Sequence, residues 1–157
     1  MAKESGEIPI KLQILDYPYL DVYKKAAEKE RILEAIDDRM ADMFAEFYVD
    51  DREQEMSPYI SPVYATAEEL KGMPKTYLLI CGQDNLKQEA FTYQKLLEDA
   101  GVSVTSYLEE KGIHGYIEHG FNYDNISAEK QSNYDKEQQY LAREQVNRVA
   151  KWIKENL

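Results

Sequence analysis

The segment that most restricts the fold is Thr76 to Cys81, where Tyr77-Leu78-Leu79-Ile80-Cys81 runs apolar without a polar residue at alternate positions. A strand with one face in water alternates. A strand without alternation is covered on both faces, as the inner strands of a parallel sheet are. The flanks agree with that assignment. Ahead of it, Thr66-Ala67-Glu68-Glu69-Leu70 has the pattern of a short helix with Thr66 as N-cap and Glu69 three residues on, stopped by Gly72-Met73-Pro74. Behind it, Gly82-Gln83-Asp84-Asn85 turns out of the strand. Lys87 to Ala100 then takes helical spacing through Ala90, Phe91, Tyr93, Leu96 and Leu97, with Gly101 placed as the C′ glycine.

Val102 to Leu108 predicts a further strand, leaving through Gly112-Ile113-His114-Gly115. Residues Ser127 to Ser132 are polar and read as irregular. A final amphipathic helix from about Lys136 to Glu155 is expected to bury Leu141, Val146, Val149, Trp152 and Ile153. Toward the N-terminus, Ile8 to Leu15 alternates like a strand, and Pro18 keeps Tyr17 out of a helix. From Val22 to Tyr48 the period becomes helical, as one long helix or two joined ones, ending at Asp50-Asp51-Arg52-Glu53. Its stripe of Ile32, Leu33, Ile36, Met40, Met43, Phe44 and Phe47 is expected to be helix-to-sheet core, with a lipid-binding cap as the lesser alternative. Whether this insert lies on the sheet or stands away from it is open at this level. Ser57-Pro58-Tyr59-Ile60-Ser61-Pro62 is an ordered, turn-rich loop. The sum is an α/β fold of about three parallel strands, residues 1–157 forming one portion of a larger domain and residues 22–50 a helical insert. Three strands leave at least one open sheet edge.

A net charge of −11 argues against nucleic acid and against anionic membrane surfaces as partners, because both require clustered Lys and Arg. No stretch approaches the roughly 20 apolar residues of a membrane span, and the N-terminus has no apolar leader segment, so a cytoplasmic location is expected. Asn125-Ile126-Ser127 then matches the glycosylation pattern by chance. Cys81 is the one cysteine, expected as a buried, inert thiol.

Two residue types suited to acid–base chemistry stand at strand exits: Asp84 after one strand and His114 after the next. Functional side chains of open α/β sheets gather outside the carboxyl ends of the strands. An acid and a histidine there could relay a proton from a nucleophile. Taken singly, each is more often an ordinary turn or surface residue. His119, five positions past His114, does not share a helical face with it, and no ligand-spaced Cys or carboxylate accompanies either, so no metal and no cofactor is expected. Glu109 and Glu110 read as a solvated strand end. Most of the 13 tyrosines are expected as half-buried packing, with Tyr17, Tyr19 and Tyr59 on loops near the presumed site.

Four landmarks occur in order: Leu15-Asp16-Tyr17-Pro18-Tyr19-Leu20-Asp21, Tyr59-Ile60-Ser61-Pro62, Gly82-Gln83-Asp84-Asn85-Leu86 and His114-Gly115-Tyr116. In that arrangement the chain resembles the C-terminal half of α/β-hydrolase esterases and lipases of the hormone-sensitive-lipase-like group. The resemblance runs from Ile8 to Leu157, least clearly over residues 118–135. It implies carboxylic ester hydrolysis, with Asp84 as the acid of a Gly-x-Asp-Pro-Leu turn and His114 as the base of a His-Gly-Phe turn. Asn85 replaces the family's proline, and Tyr116 replaces its phenylalanine, a mild change unless the hydroxyl is buried without a partner.

The family's Gly-x-Ser-x-Gly elbow and the upstream oxyanion segment have no counterpart. Ser5, Ser57, Ser61, Ser103, Ser106, Ser127 and Ser132 lack flanking glycines, and none falls between a strand and a helix upstream of Asp84. The expectation is a chain inactive by itself, either a truncated reading frame or one half of a split enzyme that acts on a small-molecule ester only when a partner chain supplies the serine and the oxyanion hole. The alternative is a non-catalytic binding or assembly module, with homodimerisation through an exposed sheet edge.

Overall fold

The computed structural model describes Gly6 and residues 8–32, 38–122 and 133–157. Expectations for Leu33, Ile36, Asn125 and the 127–132 stretch fall outside them. Strands β1 (Leu12–Asp16), β2 (Lys75–Gln83) and β3 (Val104–Ile113) form one sheet in the order β1-β2-β3. Both pairings are parallel, with Ile14 opposite Tyr77 and Leu78 opposite Ser106. The helices are α1 (Asp38–Tyr48), α2 (Ala67–Leu70), α3 (Lys87–Asp99), α4 (Tyr116–Asn122) and α5 (Asn133–Asn156).

The apolar run of β2 is buried on both sides, as its lack of alternation requires. Tyr77, Leu79 and Cys81 pack with Tyr17, Tyr116, Ala142 and Trp152 on one face. Leu78 and Ile80 pack with Ala90 on the other, continuous with Tyr93 and Leu97 of α3. The Trp152 indole meets the Tyr77 ring edge-on at 5.4 Å and donates to Thr105 Oγ1 at 3.0 Å, which ties α5 to two strands. At the β2 exit the ladder slips between Cys81 and Gln83. A side chain at Gly82 would overlap the Glu110 backbone, so only glycine lets the two strands approach there.

Local signals held where the partner is local. Thr66 and Glu69 form the reciprocal capping box of α2. Gly101, in the left-handed region at φ 77°, closes α3. Elsewhere the fold departs from the sequence reading. Regular pairing in β1 begins at Leu12, because β2 starts only at Lys75 after Pro74, and among the described residues Ile8 to Lys11 have no strand partner. Ile8 and Ile10 are left exposed.

The insert is not one continuous helix. A 3₁₀ turn at Ala26–Glu28 and irregular chain to Ile32 come before α1. The expected core stripe also fails: Met40, Met43, Phe44 and Phe47 face solvent, Phe47 at 80% exposure, while Ala41 and Ala45 are buried. Small side chains let α1 sit close to the 26–28 turn, where Asp42 Oδ1 accepts from the Ala26 amide at 3.0 Å. In α5, Val146 is exposed, and Gln145 takes the buried position, donating to Tyr77 Oη at 3.1 Å. Glu109 is buried rather than solvated. Among the described residues no helix is long and apolar enough to cross a membrane.

Candidate active site

Because β2 and β3 are parallel neighbours, their exit turns lie side by side at one rim. Asp84 Oδ2 is 2.9 Å from His114 Nδ1. The carboxylate is almost wholly buried, and its other oxygen accepts from the Leu86 amide at 2.9 Å, which fixes it at the start of α3. In a neutral imidazole, a carboxylate accepting at Nδ1 selects the tautomer with the proton on that nitrogen and the lone pair on Nε2, the one a general base needs. The His114 side chain is 25% exposed, so the imidazole is neither sealed in nor free. Gly115, at φ 76°, turns the chain directly into α4.

Of the three loop tyrosines only Tyr17 reaches this pair. Its ring meets the His114 imidazole edge-on, with centroids 5.1 Å apart, and its hydroxyl donates to Glu118 of α4. Burial and the Glu118 carboxylate push the Tyr17 phenol well above its ordinary range. Tyr19 lies under the Lys29 ammonium at 3.9 Å, and Tyr59 is exposed. Tyr116 is fully buried, and its hydroxyl has no hydrogen-bond partner among the described residues, so the substitution of phenylalanine by tyrosine carries a cost here.

None of the described serines serves His114. Ser61 is buried and accepts from the Val22 amide at 2.9 Å. Ser103 immediately precedes β3 and Ser106 is its third residue, so both lie toward the end of the strand opposite its exit, Ser106 roughly 23 Å from that exit at about 3.3 Å per residue and Ser103 farther. Among the described residues no group of three or more His, Cys, Asp or Glu is placed to hold a metal ion.

A buried ion pair escaped the sequence reading. Lys29 Nζ donates to Glu89 Oε2 at 2.6 Å and to the Asp21 carbonyl at 2.9 Å. Glu89 Oε1 accepts from the Leu20 amide at 2.6 Å and the Asp21 amide at 3.3 Å. Burial lowers the ammonium and raises the carboxyl from their usual ranges, and their mutual attraction offsets part of each shift. The pair straps the chain leaving β1 onto α3. One signal was available: Glu89, Tyr93 and Leu97 are spaced i, i+4, i+8, so Glu89 occupies an apolar-stripe position, which demands a buried partner.

A parallel sheet covered by helices on both faces, with an Asp–His contact at adjoining strand exits, defines an α/β protein with these side chains at the carboxyl rim of its sheet. Residues 1–118 match the family model for the alpha/beta hydrolase fold, and the chain belongs to that family. Rat neutral cholesterol ester hydrolase 1 is 47% identical over 55 residues, 35% of this chain and 14% of that protein. Rabbit arylacetamide deacetylase is 31% identical over 98 residues, 62% of this chain and 20% of that protein. A thermostable esterase from Pseudomonas putida superposes with a TM-score of 0.65 at 30% identity, covering 73% of this chain and 37% of that one. The chain thus spans a fifth or less of these two curated relatives, and under two fifths of the esterase. The likeness is to esterases of the hormone-sensitive-lipase-like group.

Proposed function

We propose that this chain carries the acid and base of a carboxylic-ester hydrolase and gains activity when a further segment supplies the serine and oxyanion donors. The observation that carries this reading is the 2.9 Å contact between Asp84 and His114 at neighbouring strand exits. His114 Nε2 takes the serine proton as the oxygen attacks the ester carbonyl, then returns it to the departing alkoxide. Asp84 holds the tautomer and stabilises the imidazolium. Among the described residues the pair has beside it no serine of a Gly-x-Ser-x-Gly elbow, and acyl transfer depends chiefly on such a nucleophile and on oxyanion donors, so in this reading the single chain is inactive. The substrate is a small-molecule carboxylic ester. A cytoplasmic setting belongs to this reading and accords with the free, buried Cys81.

Handedness supports a site for the completing segment. The strands advance β1 to β2 to β3, and α3 crosses over the face bearing Leu78 and Ile80. A parallel strand added outside β1 in the same progression would carry its right-handed crossover helix on that same face. There, beside β1, lies an open groove of about 770 Å³ lined by Ile8, Ile10, Leu15, Leu70, Met73 and Tyr93. The added strand's exit turn would fall on the rim that holds Asp84 and His114.

The test mixes this chain with the polypeptide encoded immediately upstream and follows hydrolysis of a short p-nitrophenyl ester. Turnover is expected on mixing only, to vanish in His114→Ala, and to fall about 10³–10⁴-fold in Asp84→Asn. Binding of the two chains without turnover, or turnover that survives His114→Ala, would sink the reading. A second reading, a non-catalytic assembly module, is favoured by the exposed Met40, Phe44 and Phe47 and the open β1 edge. A stable homodimer by sedimentation, with no complementation, would support it.

A further inference from the structure

Tyr17 is the one non-glycine residue at positive φ among the described residues, at 37°, and it precedes Pro18. Both facts disfavour the conformation: a bulky side chain resists the left-handed region, and a following proline restricts the residue before it to extended backbone. Strain of this kind persists only where surrounding contacts over-determine it, and it clusters at functional sites. Here its consequence is visible. Along β1, Leu12 packs on the Tyr77–Trp152 face, and Leu15 on the opposite face against α3. Strict alternation would send residue 17 with Leu15. Instead its ring belongs to the cluster of Tyr77, Leu79, Cys81 and Tyr116. The left-handed turn carries the side chain across the sheet to the face where His114 stands.

The displaced residue is held at three points. Its amide donates to the Leu79 carbonyl at 3.0 Å, extending the β1–β2 ladder. Its ring lies edge-on to the imidazole and 6.0 Å from the ring of Tyr116. Its hydroxyl donates to Glu118, on the helix that starts two residues after His114. We propose that Tyr17, anchored by Glu118, is a positioning residue that holds the His114 imidazole in register with Asp84. The inference rests on the acid–base reading of that pair and adds the element that prevents the ring from rotating away from the carboxylate. Nothing in the Gly-x-Asp or His-Gly motif encodes it.

The test reads the ring directly by NMR of the ¹⁵N-labelled chain, in a His119→Gln background that leaves one imidazole. The signal is the His114 Nδ1 proton and its exchange with water, recorded beside the melting temperature of each variant. Tyr17→Leu keeps the apolar volume but removes the aromatic edge, and is expected to speed exchange about tenfold, the equivalent of one lost aromatic contact. Tyr17→Phe and Glu118→Ala each remove the anchor and keep the ring. Both are expected to speed exchange about threefold, with the double variant no worse than either single, because they break one interaction.

Folded Tyr17→Leu with exchange within twofold of the parent would overturn the proposal. If that variant does not fold, unchanged exchange in both Tyr17→Phe and Glu118→Ala overturns it instead. Asp84→Asn separates the two levels. A ring proton indifferent to that change sinks the acid–base pair itself, whereas one that responds to Asp84→Asn and ignores position 17 and Glu118 sinks only the clamp.

Discussion

The β2–β3 side of the sheet and the β1 side, with its helical insert, differ in how far their surfaces are satisfied. β2 is buried from Thr76 to Gly82, its neighbours pack on both faces, and its exit turn holds a carboxylate with both oxygens bonded. On the other side Ile8, Ile10 and Ile14 meet solvent, the outer edge of β1 has no strand partner among the described residues, and α1 turns its largest apolar side chains outward. The difference teaches that the contact between Asp84 and His114 is held by the well-packed side of the sheet. The β1 side buries what small residues allow and leaves the rest open. The insert is bound to α3 by Glu30, which pairs with Lys87 and accepts from Gln88, and by the buried Lys29–Glu89 strap with its backbone contacts.

That strap gives the sharpest way to break the contrast. Lys29→Met leaves the Glu89 carboxylate buried without its counter-charge and is expected to lose about 3–5 kcal/mol in urea denaturation. Lys29→Met with Glu89→Leu should recover most of that loss. Equal losses in the single and double variants would show that the strap is not an ion-pair effect.

Next in size is a matched pair of truncations. Leu79→Ala, in the fully buried strand, is expected to cost about 2–5 kcal/mol. Phe47→Ala, in the exposed stripe, should stay within about 0.5 kcal/mol and raise solubility. A Phe47→Ala loss comparable to that of Leu79→Ala would mean that α1 has a covering surface in solution and that the two sides are alike.

The smallest effect sharpens the site itself. Tyr116→Phe removes a buried hydroxyl that has no partner among the described residues and keeps the ring beside Tyr17, so the midpoint of denaturation should rise by the equivalent of about 1 kcal/mol. A fall would show that the hydroxyl has found a donor or acceptor.

Much of this arrangement was legible because its causes are local. Lack of alternation in residues 76–81 can only mean cover on two faces, and Thr66, Glu69 and Gly101 satisfy helix ends through atoms three to five residues away. Asp84 and His114 could be placed at adjoining exits because a right-handed crossover leaves parallel strands as neighbours. The periodicity of α1 was equally clear, yet it misled. A stripe says that one face is apolar, but not that a surface exists to receive it, and the small face carrying Ala41 and Ala45 found the closer fit. Val146 and Gln145 exchanged expected roles for a related reason: the Tyr77 hydroxyl offered the amide a buried partner from 68 residues away.

What the chain's order of residues determined alone is the succession of strands and helices, the parallel sheet, and the meeting of an acid with a histidine at one rim. These follow from side-chain period and the chirality of the crossover, which act over a few turns of chain. Tertiary structure decided which face α1 buried, that Lys29 and Glu89 should find each other, and that a single left-handed residue would carry Tyr17 across to His114. Each of those depends on atoms brought together from distant positions, and no local pattern records how close they come.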